Sequence, residues 1–66
     1  MKIVVNSLER EVPDAFSVVQ LLELLKLSNT RVAVEVNAEL VTRAEWDGFK
    51  LKPMDKVEVV TFVGGG

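Results

Sequence analysis

Phe16-Ser17-Val18-Val19-Gln20-Leu21-Leu22-Glu23-Leu24-Leu25 is the stretch on which the fold turns. Gln20 follows Ser17 at the spacing of a capping box, in which each side chain bonds the other residue's backbone N–H at a helix start. Phe16 before Ser17 and Leu21 after it stand at the spacing of a hydrophobic staple, which fixes the angle at which the chain enters a helix. Val18, Leu21, Leu22 and Leu25 then fall at i, i+3, i+4 and i+7, one apolar face of a helix. The pattern predicts a single amphipathic helix running to about Lys26 or Leu27, with Ser28-Asn29-Thr30 ending it.

Strand signals lie on both sides of this helix. Lys2 to Asn6 is β-branched and apolar, Asn6-Ser7-Leu8 reads as a turn, and Glu9 to Val12 as a short return strand that Pro13-Asp14 ends. After the helix, Arg31 to Asn37 alternates: Val32, Val34 and Val36 face one way, Ala33, Glu35 and Asn37 the other, as in a half-buried strand. Ala38-Glu39 turns the chain and Leu40-Val41 reads as a brief strand. Thr42 to Phe49 is irregular, with one helical turn around Ala44-Glu45-Trp46, and Pro53-Met54-Asp55 is a turn before a last strand from Lys56 to Val63. Strands flanking one helix predict an α+β fold, a mixed sheet with the helix packed on one face by a right-handed connection. The pattern does not set the strand order.

Size and composition bound the function. Sixty-six residues, 48% of them hydrophobic, make one domain with one core. A chain this short buries only about 60% of the surface its unfolded form exposes, so its stability margin is thin and a deep pocket is not expected. The chain has no cysteine and no histidine. It therefore has no thiol nucleophile, no disulfide, no Cys/His zinc or iron–sulfur site, and not the usual acid/base residue of neutral pH. A formal net charge of −2 argues against capture of nucleic acid, which needs a clustered basic face. No apolar run reaches the roughly 20 residues of a membrane span, and Met1-Lys2-Ile3-Val4-Val5 lacks the layout of a signal peptide. A cytoplasmic protein without membrane or nucleic-acid partners is expected.

The last strand leads to the candidate site. Val57, Val59, Thr61 and Val63 share one of its faces, and Lys56, Glu58, Val60 and Phe62 the other. Lys56 and Glu58 mark the second face as solvent-facing, which puts Val60 and Phe62 outward near the chain end. They form a candidate docking patch, unless a loop of the chain covers them. Then come Gly64-Gly65-Gly66, three of the four glycines in the sequence. A run of terminal glycines is often only a frayed end. Here it follows a strand with no polar spacer and ends in a carboxylate. Glycine lacks Cβ, so such an end can enter a narrow channel and approach a nucleotide phosphate closely. A terminal carboxylate, with an ordinary pKa of about 3.5, is ionised at neutral pH and a poor electrophile. Adenylation by ATP would make it a mixed anhydride, from which a sulfur nucleophile could displace AMP. The chain offers no base, thiol or metal for those steps, so it would be cosubstrate rather than enzyme.

Taken in order, these pieces resemble the thiamine-biosynthesis sulfur carrier proteins, a family of the ubiquitin-like β-grasp fold. The resemblance rests on Lys2–Asn6, Ser17-Val18-Val19-Gln20-Leu21-Leu22-Glu23, Val32-Ala33-Val34-Glu35-Val36-Asn37, Val41-Thr42-Arg43-Ala44-Glu45-Trp46 and the ending Val57-Glu58-Val59-Val60-Thr61-Phe62-Val63-Gly64-Gly65-Gly66. It implies a β-grasp domain over 1–63 and a flexible glycine tail over 64–66. It also implies that Gly66 is adenylated by an E1-like enzyme and becomes a thiocarboxylate, with Gly64 and Gly65 as lead. ATP would be used by the activating enzyme and no cofactor held by this chain. The sulfur would come from a persulfide-bearing donor and go to thiazole synthase for the thiazole moiety of thiamine, and Val60 and Phe62 would dock partners. Three positions depart from the family pattern: Asn6-Ser7 where Asn-Gly is frequent, Met54-Asp55 where Gly-Asp is frequent, and three final glycines where many members have two. The first two bear on turn geometry, and the third leaves the last residue glycine.

Other readings are a sulfur carrier of another pathway, like the small subunit of molybdopterin synthase, a β-grasp interaction module with an inert tail, and an RNA-binding β-grasp domain, which the acidic balance disfavours. Arg43 and Trp46 have the composition of an interface hot spot. In so small a chain, Trp46 is better read as closing one end of the core, with Arg43 at the surface. Glu45 and Asp47 read as a solvated loop rather than a catalytic pair. Glu9, Glu11 and Asp14 read as a charged edge that discourages sheet-to-sheet pairing.

Overall fold

The computed structural model describes residues 1–28 and 30–62. It has five strands and one α-helix among these residues: β1 (Lys2–Val5), β2 (Leu8–Glu11), α1 (Val18–Leu24), β3 (Val32–Val36), β4 (Glu39–Val41) and β5 (Lys56–Thr61). A short 3₁₀ turn spans Arg43–Glu45. The expected mixed sheet with the helix on one face is present, and its order is β2-β1-β5-β3-β4. β1 and β5 pair in parallel, and the remaining neighbours are antiparallel. The last strand thus lies in the middle of the sheet, between the first and the third.

The helix starts where the sequence predicts. Ser17 Oγ accepts the Gln20 N–H at 3.1 Å, and the Gln20 side-chain carbonyl accepts the Ser17 N–H at 2.9 Å. The Val18 and Val19 N–H groups donate to the carbonyls of Phe49 (3.0 Å) and Trp46 (3.2 Å). The first three N–H groups of the helix therefore all have partners within the chain. The helix ends at Leu24, earlier than the expected Lys26 or Leu27. The cause is a Schellman turn: the Leu27 N–H donates to the Leu22 carbonyl at 2.8 Å, the Lys26 N–H to the Glu23 carbonyl at 3.0 Å, and Lys26 has φ 61°. Lysine at a position that usually calls for glycine gave the sequence no stop signal there.

Val18, Leu21 and Leu22 of α1 are fully buried against Ile3 and Val5 of β1, Val34 and Val36 of β3, Val41 of β4, and Val57 and Val59 of β5. Leu51, Val12 and Trp46 complete the core. The other strands match their expected positions to within a residue or two. The part of the last strand assigned to Val63 lies outside the described residues. The expected helical turn around Ala44–Trp46 is the 3₁₀ turn one residue earlier. The Thr42 N–H and hydroxyl both donate to the Glu45 carboxylate at 2.9 Å. These two bonds, the backbone one foremost, hold the Glu45 carboxyl below the usual carboxylate range.

Both hairpins turn through two residues of positive φ: Asn6 (48°) and Ser7 (71°), Asn37 (52°) and Ala38 (71°). These are type I′ turns, whose twist matches that of the strands and whose second position favours glycine. Left-handed backbone costs an ordinary L-residue about 1–2 kcal/mol, part of which glycine gives back through its freer unfolded chain. Ser7→Gly and Ala38→Gly should each raise stability by about 0.5–1 kcal/mol, read as a higher urea midpoint at unchanged m. A fall in midpoint for either would contradict the turn assignment.

Candidate functional site

The candidate site is the outer face of β5 and the residues that follow it. Gly64, Gly65 and Gly66 lie outside the described residues. The strand that leads to them is held from both sides. On the β3 side the register is Val36↔Val57, Glu35↔Glu58, Val34↔Val59, Ala33↔Val60 and Val32↔Thr61. The Phe62 N–H extends it by donating to the Arg31 carbonyl at 3.0 Å. On the β1 side the backbone ladder is short, Val4↔Lys56 and Val5↔Val57, because β1 turns away at Asn6.

A side chain continues that ladder. Asn6 Oδ1 accepts the Val59 N–H at 2.8 Å, and its Nδ2 donates to the Val59 carbonyl at 3.2 Å. The amide stands in for a peptide group and supplies one more rung toward the C-terminus. Asn37, first residue of the other turn, secures the start of the same strand. Its N–H donates to the Lys56 carbonyl at 2.7 Å, and its Oδ1 accepts the Lys56 N–H at 3.0 Å. Its Nδ2 donates to Asp55 Oδ1 at 3.0 Å, while Asp55 Oδ2 accepts the Lys52 N–H at 2.8 Å. Asparagine tolerates the left-handed backbone that the turn needs and carries both a donor and an acceptor. Each turn asparagine therefore serves the hairpin and the central strand at once.

Asn6→Ala should cost about 1–3 kcal/mol, because it orphans both backbone groups of Val59 as well as a preferred turn residue. Amide exchange at Val59 should quicken more than at Val34. Equal quickening at both would mean that Asn6 supports only global stability.

Val60 and Phe62 lie outward as expected, at 55% and 54% exposure, and no loop among the described residues covers them. Leu40 on β4, 63% exposed, belongs to the same face, since it stands opposite Glu35. Sequence reasoning missed it because a three-residue strand is too short to show alternation. Arg43 and Trp46 follow the structural reading: Trp46 is buried, its Nε1–H donates to the Val41 carbonyl at 3.0 Å, and the exposed Arg43 guanidinium lies 4.9 Å from the ring centre. Glu45 and Asp47 are both exposed. Glu9 and Glu11 lie on an edge strand, β2, where Glu9 pairs with Lys2 at 3.5 Å. Asp14 and Glu11 flank the Met1 ammonium at 3.4 and 3.7 Å.

Comparison with known proteins supplies what the geometry does not. A family model described as the ThiS family matches residues 1–66. The crystal structure of a thiamine biosynthesis protein (ThiS) from Geobacter metallireducens is 35% identical, with a TM-score of 0.84 and 100% of both chains covered. The solution structure of a thiamine biosynthesis protein from that organism is 36% identical, with a TM-score of 0.78, covering 100% of this chain and 88% of that one. A thiazole synthase from Paramagnetospirillum magneticum is 38% identical over 66 residues, which are all of this chain and 20% of that protein. The chain thus spans one fifth of the length of that relative.

Proposed function

Because this chain belongs to the ThiS family, we propose that it is a sulfur carrier of thiamine biosynthesis, charged at the carboxylate of Gly66. The observation that carries the reading is the family match over the whole of residues 1–66, the three final glycines included. A carboxylate oxygen of Gly66 attacks the α-phosphorus of ATP on an E1-like adenylating enzyme, and pyrophosphate leaves. A sulfur nucleophile then attacks the carbonyl carbon and AMP leaves, which yields a thiocarboxylate when that nucleophile is hydrosulfide. In the cell the sulfur comes from a persulfide-bearing protein: its terminal sulfur attacks the carbonyl carbon as AMP leaves, and a protein thiol then attacks the donor-side sulfur of the resulting acyl disulfide, which releases the thiocarboxylate and leaves a disulfide. The loaded carrier passes its sulfur to thiazole synthase, a partner supported by the likeness of this chain to part of one such protein. The carrier catalyses none of these steps. Its contribution is a central strand, braced by Asn6, Asn37 and β3, that presents the acyl end. Val60 and Phe62 supply apolar surface beside that end for the partners to cover.

Intact-mass analysis tests the reading. The protein is incubated with ATP, hydrosulfide and the adenylating enzyme from the same source. The expected product has one terminal oxygen replaced by sulfur. An unchanged mass, with the same enzyme active on a carrier of known competence, would sink the proposal.

A further inference from the structure

One arrangement on the outer face is used neither by the core nor by the bracing of β5. Glu35 of β3 stands directly opposite Glu58 of β5, and both are exposed. Side chains so opposed have Cβ atoms about 4.5–5.5 Å apart, and like charges there destabilise a sheet. Among the described residues no ion pair reaches either carboxylate. Leu40 continues the row on β4, and Val60, opposite Ala33, then Phe62 follow toward the C-terminus. Two carboxylates without an ion pair, with Lys56 the one cation on their face of β5, are thus bordered by three large side chains more than half exposed.

The charge selects the occupant. A phosphate backbone or an anionic membrane would meet two carboxylates. A second copy, related by a twofold axis through the pair, would bring four together. What relieves the repulsion is a cation held between them, and what covers Leu40, Val60 and Phe62 is apolar. A guanidinium meets both needs, since its planar fork bonds carboxylates from either edge while its stem lies on apolar surface. We propose that this face receives a partner protein presenting an arginine flanked by apolar side chains, with the guanidinium seated between Glu35 and Glu58. The proposal rests on the reading that partners dock at Val60 and Phe62, and adds the chemistry they bring. It also gives association a salt-sensitive steering component.

The test titrates the adenylating enzyme and the thiazole synthase of the same source with wild type, Glu35→Gln/Glu58→Gln and Phe62→Ala, at low and high ionic strength. Glu23→Gln, on the exposed part of the helix, is the control. For at least one enzyme the double variant should bind roughly tenfold more weakly at low salt, with a flattened salt dependence, while Glu23→Gln binds as wild type. The free double variant should melt at or above the wild-type temperature, because repulsion is relieved. If Phe62→Ala weakens binding but the double variant keeps wild-type affinity and salt slope for both enzymes, the arginine assignment is overturned and the docking reading stands. A lower melting temperature for the double variant would show the pair already compensated, and would overturn it too. So would a wild-type dimer that Phe62→Ala dissociates. If wild type binds neither enzyme, the carrier reading falls and this proposal with it.

Discussion

Appending one alanine after Gly66 is expected to reduce thiocarboxylate formation at least about 100-fold, and converting the Gly66 carboxylate to an amide to abolish it. The amide removes the nucleophilic oxygen that must attack ATP, so no binding energy can rescue it. The added alanine keeps a carboxylate but moves it by one residue, about 3.3–3.6 Å along an extended chain, and puts a Cβ beside it. A misplacement of 1 Å at a reacting centre can cost about 100-fold. Removal of Gly66 leaves a glycine at the end, yet shortens the reach by the same step, and should fall in the same range. All three changes lie beyond Val59, the last residue of the core among the described residues, so the melting temperature should match wild type. That separates a lost reaction from a lost fold. Charging of the alanine-extended protein at the wild-type rate would mean that the reacting group is elsewhere.

The sequence disclosed those parts of the fold whose signals are local. The capping box at Ser17 and Gln20, the apolar face through Val18, Leu21 and Leu22, and the alternation over Val32–Val36 each act within a few residues, and each appears in the structure. The family resemblance placed the whole chain in the β-grasp fold. The strand order was not legible from periodicity, because the contacts that set it span the chain: Asn6 bonds Val59 across 53 positions. The early end of the helix was hidden for a different reason. Lys26 holds a left-handed conformation that glycine would have advertised, as do Ser7, Ala38 and Met54. The two family departures at Ser7 and Met54 are thus positions where this chain carries backbone strain. Of the candidate site, Val60 and Phe62 could be read from parity along one strand. Leu40, and the opposition of Glu35 to Glu58, needed the register between strands.

Leu21→Ala is expected to cost about 2–5 kcal/mol, the largest effect on stability of any single change proposed for this chain. Leu21 is wholly inaccessible to solvent on the one helix that covers the sheet. That helix has seven residues, too few to persist alone, so its order depends on packing by Val18, Leu21 and Leu22. Truncating the central one removes apolar burial and leaves a cavity that the β-sheet cannot collapse to fill. Domains of ordinary size are stable by about 5–15 kcal/mol, and small ones sit toward the lower end. The loss therefore brings the variant close to equal populations of folded and unfolded chain. Leu21→Met, which nearly conserves volume, should cost less than about 1.5 kcal/mol. Urea melts of the three proteins measure both steps. Charging with sulfur should respond unlike the tail variants: the rate at low concentrations of adenylating enzyme should fall with the folded fraction, and excess enzyme should restore it, because binding draws the equilibrium toward the folded state. If Leu21→Ala lost charging that excess enzyme did not recover while its urea midpoint stayed at the wild-type value, the buried face of the helix would have a direct part in partner contact, and the separation of a packed inner face from a working outer face would fail.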